Sequence, residues 1–275
     1  MHISVIIPTK GHEALLRDCV STLTRHHDGL GIDYEVIIVD DGSEVPIEGL
    51  IGDSLGPRVR HCRLEQNSGF STACNFGANH ALADKIVFLN NDTRSYQPWL
   101  GSMIIALDDP KVGVVGAALF HNEDELSCQH YGACLSEGAN VCHFYFGASI
   151  DELPLEEGAF VCSAVTGAVF GVSKRDFQAL SGFDQVYLNG YEDIDFCLRM
   201  TRRFGKLCIV DASCRLVHLE GRTEGRRHHE SANATRFYWQ HHARCRDLVH
   251  TVELSNGGLS LVPDVPVYYQ YGPLT

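Results

Sequence analysis

The chain has 275 residues, 44% of them hydrophobic, enough for a substantial core in one large domain or two small ones. Its 22 basic and 35 acidic residues leave a formal net charge of −13. So acidic a chain repels the phosphate backbone of DNA and RNA, which argues against a nucleic-acid partner, and the run Arg226-Arg227-His228-His229 is only one small basic patch.

The first apolar run, Ile3–Ile7, predicts a strand that stops at Pro8 and is too short for the central region of a signal peptide. Glu13–Arg25 carries Leu15, Leu16, Cys19, Val20 and Leu23 at helical spacing. Tyr34–Val39 reads as the next strand and Val59–Leu64 as a weaker one. Ser71–Ala83 is rich in small residues and helix-like, Lys85–Leu89 is a further strand, Trp99–Leu107 a helix and Val112–Ala118 a strand. Strand–helix alternation with fully apolar strands predicts an α/β fold with a mainly parallel sheet.

The second half is less regular. Residues 120–160 read as loops and short strands that cover the cleft. Val161–Val172 reads as an apolar strand pair interrupted by Gly167, and Arg175–Leu180 as a short helix. Glu192–Phe204 is a helix with Ile194, Cys197, Leu198 and Thr201 on one face, and Asp195 and Arg199 are spaced to pair along it. Lys206–Val210 and Arg215–His218 predict two short strands. Ser231–His250 is helical, with Phe237, His241 and Leu248 as inward anchors, and a proline-punctuated tail follows Asn256-Gly257-Gly258.

The 11 cysteines contain no C-x-x-C pair, which argues against a zinc cluster, and Cys19, Cys62, Cys74, Cys162, Cys197 and Cys208 sit in apolar stretches as free thiols do. A reduced, cytoplasmic protein is the simplest expectation. No run approaches the roughly 20 apolar residues that span a bilayer. Peripheral contact with the inner face of a membrane stays open, as does the oligomeric state.

Chemistry concentrates where apolar runs end in acids. Val36-Ile37-Ile38-Val39 runs into Asp40-Asp41-Gly42-Ser43, and Ile86-Val87-Phe88-Leu89 into Asn90-Asn91-Asp92. Ligands of open α/β sheets bind outside the carboxyl ends of the strands. Carboxylates aimed at one crevice call for a hard divalent cation. An acid at a strand end can also accept from a ribose hydroxyl, while the bland alternative for Asp40–Ser43 is an Asp-Gly turn with a capping serine. Thr9-Lys10-Gly11 follows the first strand and offers backbone donors to a nucleotide, or is an ordinary turn. Gln66-Asn67-Ser68-Gly69-Phe70 precedes the small-residue helix, with Gly69 permitting close approach and Asn67 an amide. In Glu192-Asp193-Ile194-Asp195, either the acids serve the helix dipole, or Asp193 projects into the cleft as a general base. His218 ends an apolar strand and is a suitable ligand for manganese-like ions; the other histidines read as structural.

Taken together, Val5-Ile6-Ile7-Pro8-Thr9, Val39-Asp40-Asp41-Gly42-Ser43, Asn67-Ser68-Gly69-Phe70, Leu89-Asn90-Asn91-Asp92, Gly167-Ala168-Val169-Phe170, Gly182-Phe183-Asp184, Glu192 to Arg199 and His218 form an ordered set. The chain resembles the inverting nucleotide-sugar glycosyltransferases of family 2, which have the glycosyltransferase A fold, a Rossmann-like α/β architecture. The Asn-Asn-Asp subgroup looks like the rhamnosyl-type transferases of bacterial surface polysaccharides. The resemblance implies that Pro8, Thr9 and Asp40 hold the nucleoside with Asp41 nearby, and that Asn67, Gly69 and Asn91 contact nucleotide or sugar. It implies that Trp99 lies near the sugar or acceptor pocket. It implies Asp92 and His218 as metal ligands, Asp193 as catalytic base, and Glu192 as orienting the site or binding acceptor. Asn90 departs from the family pattern by replacing the first acid of a full Asp-x-Asp.

The resulting expectation is a divalent-cation-dependent enzyme, using manganese or magnesium. It moves sugar from a nucleotide diphosphate sugar to a hydroxyl of a saccharide, lipid-linked or protein acceptor. Residues 1–225 would be the catalytic domain, with 1–118 as nucleotide-binding half and 119–225 as acceptor and catalytic half, and 226–275 a helix and tail on the same domain. The alternatives are a nucleotidyltransferase, which would want a more basic phosphate loop than Lys10 offers, and a non-catalytic nucleotide-sugar-binding protein.

Overall fold

A strand buried on both faces must be apolar at every position, and that is what places the sheet at the centre of this molecule. The computed structural model describes residues 1–51, 55–122, 126–136, 139, 141–153, 158–219 and 229–242, with the backbone of 251–255, 258–262 and 268–269. The first half runs β1 (Ile3–Thr9), α1 (Glu13–His27), β2 (Tyr34–Asp41), α2 (Ile47–Ile51), β3 (Val59–Leu64), α3 (Phe70–His80), β4 (Lys85–Leu89), β5 (Thr93–Ser95), α4 (Leu100–Asp108) and β6 (Val112–Phe120). The second continues with β7 (Cys128–His130), β8 (Ala133–Ser136), β9 (Val141–His143), β10 (Ala159–Cys162), β11 (Val169–Ser173), α5 (Lys174–Ala179), α6 (Glu192–Phe204), β12 (Leu207–His218) and α7 (Glu230–His241). Three short strands end the chain: β13 (Thr251–Ser255), β14 (Gly258–Val262) and β15 (Tyr268–Tyr269).

The main sheet has the order β15-β10-β12-β6-β11-β4-β1-β2-β3. Its β4-β1-β2-β3 portion is parallel, as is the β6–β12 pair, while β11 lies antiparallel between β4 and β6. The expected α/β fold with a mainly parallel central sheet flanked by helices is therefore present. The parallel strands reverse winding direction at β1, between β4 and β2, and the crevice at such a switch point is where ligands bind. A second sheet joins β14-β13-β8-β9.

Alternate residues of each strand serve the two faces. Val5, Ile7, Val36, Ile38, Val87 and Leu89 pack with Leu16, Val20 and Leu23 of α1 and Leu100 and Met103 of α4. Ile6, Ile37, Val39 and Phe88 pack with Ala73, Cys74 and Ala78 of α3 and Phe196 and Met200 of α6. Phe88, Phe170, Phe177, Phe183 and Phe196 interlock there in tilted and edge-on pairs, 5.0 Å apart for Phe88 with Phe177 and for Phe88 with Phe183. The ten described cysteines carry free thiols.

The small residues of α3 let it press on β1 and β2. A Cβ at Gly77 would come 2.5 Å from Ile6 Cγ2 and 2.9 Å from Val39 Cγ2. Gly77→Ala is therefore expected to destabilise the protein by about 1–3 kcal/mol despite its gain in helix propensity. A denaturant midpoint equal to the parent's would show that α3 packs less closely.

Several boundaries differ from the sequence reading. Residues 207–218 form one strand, not two, because an irregularity between Asp211 and Arg215 lets β12 stay paired with β6. β10 and β11 are not partners; β10 pairs with β12, whereas β11 sits between β4 and β6. Helix α7 is described to His241; Leu248, Arg226-Arg227-His228, Glu220-Gly221-Arg222-Thr223 and Asn256-Gly257 lie outside the described residues. Among the described residues, no helix is long and apolar enough to cross a membrane.

Candidate active site

The strand ends at the switch point open into a cleft of about 760 Å³. Nine of the residues anticipated from sequence line it: Pro8, Thr9, Asp41, Asn67, Asn91, Asp92, Glu192, Asp193 and His218.

One wall comes from β1, β2 and the turn before α3. Asn91 donates to Thr9 Oγ1 at 2.7 Å, and Thr9 in turn donates to the Gly11 carbonyl at 2.9 Å. Asp41 accepts the backbone N–H groups of Ser68 at 2.7 Å and Gly69 at 2.9 Å. The Asn67 amide, oriented by its neighbours, donates to Asp41 Oδ2 at 2.9 Å and accepts from Lys10 Nζ at 3.0 Å. Burial pushes the Asp41 carboxyl upward, against the pull of these donors and of Lys10. Among the described residues lining the cleft, Lys10 is the only lysine or arginine.

At the cleft floor β4 and β12 bring Asp92 and His218 together, with His218 Nε2 3.2 Å from Asp92 Oδ1. Gln129 Oε1 lies 2.7 Å from His218 Nδ1. The Gln129 Nε2 group donates to the His218 carbonyl at 3.2 Å. That carbonyl can only accept, so Oε1 faces Nδ1 and the ring proton sits on Nδ1. Nε2 then turns its lone pair toward the carboxylate and the Asn90 amide nitrogen, 3.3 Å away, an arrangement that suits a cation. Cis ligands around a divalent metal with bonds of about 2.1 Å lie about 3 Å apart, close to the observed spacing. The pair therefore fits a divalent ion that takes its other donors from phosphate oxygens or water. Among the described residues, no three His, Cys, Asp or Glu side chains form a protein-only cage.

The opposite wall is the start of α6 with the turn 163–168. Asp193 Oδ2 accepts Gly167 N–H at 2.6 Å and its Oδ1 accepts Ile194 N–H at 2.8 Å. Buried Glu192 accepts Gly190 N–H at 2.6 Å. The preceding loop is forced into unusual backbone, with Asn189 at φ 55° and Tyr191 at φ 75°. Asn189 returns an amide oxygen to Phe70 N–H at 3.1 Å, tying this wall to the start of α3.

Three anticipated residues do not line the cleft. Asp40 turns away: its carboxylate accepts Ser43 N–H at 2.9 Å and Ile47 N–H at 3.1 Å and is bound by Arg63. Burial raises its pKa, but these donors outweigh that, so the carboxyl is held below the usual range. Through these contacts it organises the turn into α2. Trp99 does not line the cleft either. It is 1% exposed, buried in the core beneath α1 and α4, with its indole N–H on Ser95 Oγ at 2.9 Å and its ring edge-on to His27. Gly69 stands behind the wall; at φ 87° it supports Asp41 through its N–H.

Sequence reasoning missed other residues. Gln129, His130, His143, Thr166, Asn189, Tyr191 and Glu230 all line the cleft. Thr166 N–H donates to His130 Nε2 at 3.2 Å, so His130 carries its proton on Nδ1 and donates it to His143 Nδ1 at 3.0 Å. Burial, with the neighbouring His143 and His218, holds His130 well below the ordinary imidazole range, and neutral. The two histidines face each other across β7 and β9, a placement that the weak periodicity of 120–160 does not announce.

Comparisons with known proteins point to one family. The family described as "Glycosyl transferase family 2" matches residues 4–151. The chain is 27% identical over 229 residues to the O-antigen biosynthesis protein RfbC of Myxococcus xanthus, covering 79% of this chain and 17% of that protein. It is 28% identical over 216 residues to the pre-mycofactocin glycosyltransferase of Mycobacterium tuberculosis, covering 74% of this chain and 40% of that protein. The chain thus spans less than half the length of these relatives. Among solved structures it resembles GalNAc-T7 with UDP, GalNAc and Mn2+, with a TM-score of 0.66 and 16% identity over 81% of this chain and 44% of that one. That likeness carries the glycosyltransferase A fold.

Proposed function

Because the chain belongs to glycosyl transferase family 2, we propose that it moves a sugar from a nucleoside diphosphate sugar to an acceptor hydroxyl in one inverting displacement. One observation carries this reading: Asp92 with His218 and Asp193 with Glu192 line a single cleft together with Thr9, Lys10, Asn67 and Asn91.

The strand-end wall binds the nucleoside. Thr9, Asn91 and Asn67 present polar groups there, and Lys10 faces the diphosphate. Asp92 and His218 would hold a divalent ion, manganese or magnesium, which would supply positive charge to neutralise the leaving diphosphate. Asp193 takes the proton from the acceptor oxygen. That oxygen forms a bond to the anomeric carbon from the face opposite the departing phosphate, and the diphosphate leaves with the electron pair of the broken C–O bond. The Gly167 N–H on Oδ2 and the Ile194 N–H on Oδ1 hold the carboxylate in place. Glu192, fastened to Gly190, shapes the acceptor side.

The Asn90-Asn91-Asp92 sequence and the likeness to an O-antigen biosynthesis protein support a role in surface polysaccharide synthesis, with a rhamnosyl-type donor and a saccharide or lipid-linked acceptor. The test is a panel of nucleoside diphosphate sugars with Mn2+, monitored for nucleoside diphosphate release and for the anomeric configuration of product by NMR. Release of pyrophosphate from a nucleoside triphosphate and a sugar phosphate would establish the nucleotidyltransferase instead.

Asp92→Asn keeps shape but removes the charge. Nucleoside diphosphate affinity in the presence of Mn2+ is expected to fall by at least about 10-fold, as loss of an anionic ligand demands. Affinity without metal should stay the same. Equal metal-dependent affinities in a calorimetric titration would remove Asp92 from the site.

A further inference from the structure

We propose that Gln129 is a positioning residue: it fixes the ring tautomer of His218, so that Nε2 presents its lone pair beside Asp92 before any ligand arrives. The proposal rests on the metal reading above and deepens it.

The geometry fixes each atom in turn. Gln129 is on β7, which pairs with β6, and β6 pairs with β12, the strand that ends in His218. Its side chain makes a two-point contact with that one residue: Nε2 to the His218 carbonyl at 3.2 Å, and Oε1 to the His218 Nδ1 at 2.7 Å. The backbone carbonyl removes the ambiguity of amide orientation, because it offers only lone pairs. The ring therefore donates from Nδ1. A third group agrees independently: the Asn90 amide nitrogen stands 3.3 Å from His218 Nε2, where it meets an acceptor.

Both members of the contact are buried, so water does not take over the role easily; Gln129 is 6% exposed and His218 4%. An imidazole that had to change tautomer or rotate before ligating would lose affinity to that reorganisation. Outer partners of ligating histidines typically account for 10–100-fold in metal affinity. Gln129 itself does not ligate in this arrangement; it acts through His218. Among the described residues the donor set is this pair, and one of the two is already aimed.

The test uses three proteins: the parent, Gln129→Met, which keeps length and volume without the hydrogen bonds, and Gln129→Glu, which still presents an oxygen to Nδ1. Each is checked for folding by circular dichroism. The first readout needs no metal. Long-range 1H–15N correlation of histidine-labelled protein, above the usual imidazole titration range, reports which nitrogen carries the proton. His218 is assigned by its loss in His218→Gln. The parent and Gln129→Glu should show the proton on Nδ1, and Gln129→Met should move it wholly or partly to Nε2. The second readout is Mn2+ alone, titrated by electron paramagnetic resonance. Gln129→Met should bind about 10–100-fold more weakly than the parent, with Gln129→Glu near the parent.

A parent His218 protonated on Nε2 overturns the proposal, as does a Gln129→Met protein with unchanged tautomer and Mn2+ affinity. A tautomer change in Gln129→Met, together with a parent that binds Mn2+ no better than Asp92→Asn, supports the positioning role. That same outcome would sink the metal reading of the pair.

Discussion

Asp193→Asn is expected to slow sugar transfer by about 10²–10⁴-fold, the usual contribution of a positioned general base. The amide keeps the size and one carbonyl oxygen of the carboxylate but cannot take a proton at neutral pH. In the proposed mechanism the donor occupies the opposite wall of the cleft, so the Michaelis constant for the nucleotide sugar should hardly move. The structure adds a stability effect. Both carboxylate oxygens accept backbone N–H groups, from Gly167 and from Ile194. An amide can satisfy only one of them, and the other N–H meets an NH2 group. A loss of about 1–2 kcal/mol is expected from that mismatch. Turnover and melting temperature should therefore be measured on the same preparation, well below the transition. A protein that melts earlier yet turns over normally would leave Asp193 as a brace for the 166–167 turn, and Glu192 would become the candidate base.

The architecture was largely legible because burial on both faces writes itself into composition. β1, β2 and β4 read as strands without alternation, and each is buried over nearly its whole length. The strand-end rule then located most of the cleft, since Thr9, Asp41 and Asn90–Asp92 all follow such runs. The rule cannot tell which of two adjacent acids turns inward. Asp40 and Asp41 are equivalent in sequence; Arg63 on β3 and the N–H groups of Ser43 and Ile47 claim the first, and leave the second to the cleft. Trp99 is assigned near the sugar or acceptor pocket by resemblance alone, and its local sequence says nothing of its burial. Its indole found Ser95 and its backbone N–H found His27 Nε2 at 2.9 Å. Burial is the first cause of the lowered pKa of His27, whose neutral ring caps the start of α4. Gln129, His130 and His143 were illegible for a different reason. They lie on strands of three residues, too short to set a period, and their partners come from β12, from the 166–167 turn and from each other. Contacts of that kind are long-range facts with no local signature.

Asp195→Ala should produce the largest stability loss, about 3–5 kcal/mol, with chemistry in the surviving folded fraction little changed. The pairing of Asp195 with Arg199 follows from helical spacing, but the rest of its network does not. Asp195 is fully buried and accepts Arg199 Nε at 2.6 Å. The same guanidinium donates to the Leu180 carbonyl at 2.8 Å and the Gly182 carbonyl at 3.0 Å, so the pair ties α6 to the turn after α5. On its other oxygen Asp195 meets His241 Nε2 at 2.9 Å, from α7. Arg202 stands 2.8 Å from His241 Nδ1 and can only donate to it, which puts the ring proton on Nε2, facing Asp195. One carboxylate thus joins three segments, and α7 in turn brings Glu230 to the cleft. Removing it leaves a partly buried guanidinium without its counter-charge and an imidazole N–H without its acceptor. A solvent-exposed ion pair of the same spacing would contribute only about 0.3–0.5 kcal/mol. Denaturant unfolding of Asp195→Ala and of Arg199→Met separates the two cases. A loss under 1 kcal/mol in both would mean that water replaces the carboxylate. A large loss in Asp195→Ala with a smaller one in Arg199→Met, which leaves the carboxylate its His241 donor, would trace the effect to the junction that Asp195 makes with α7.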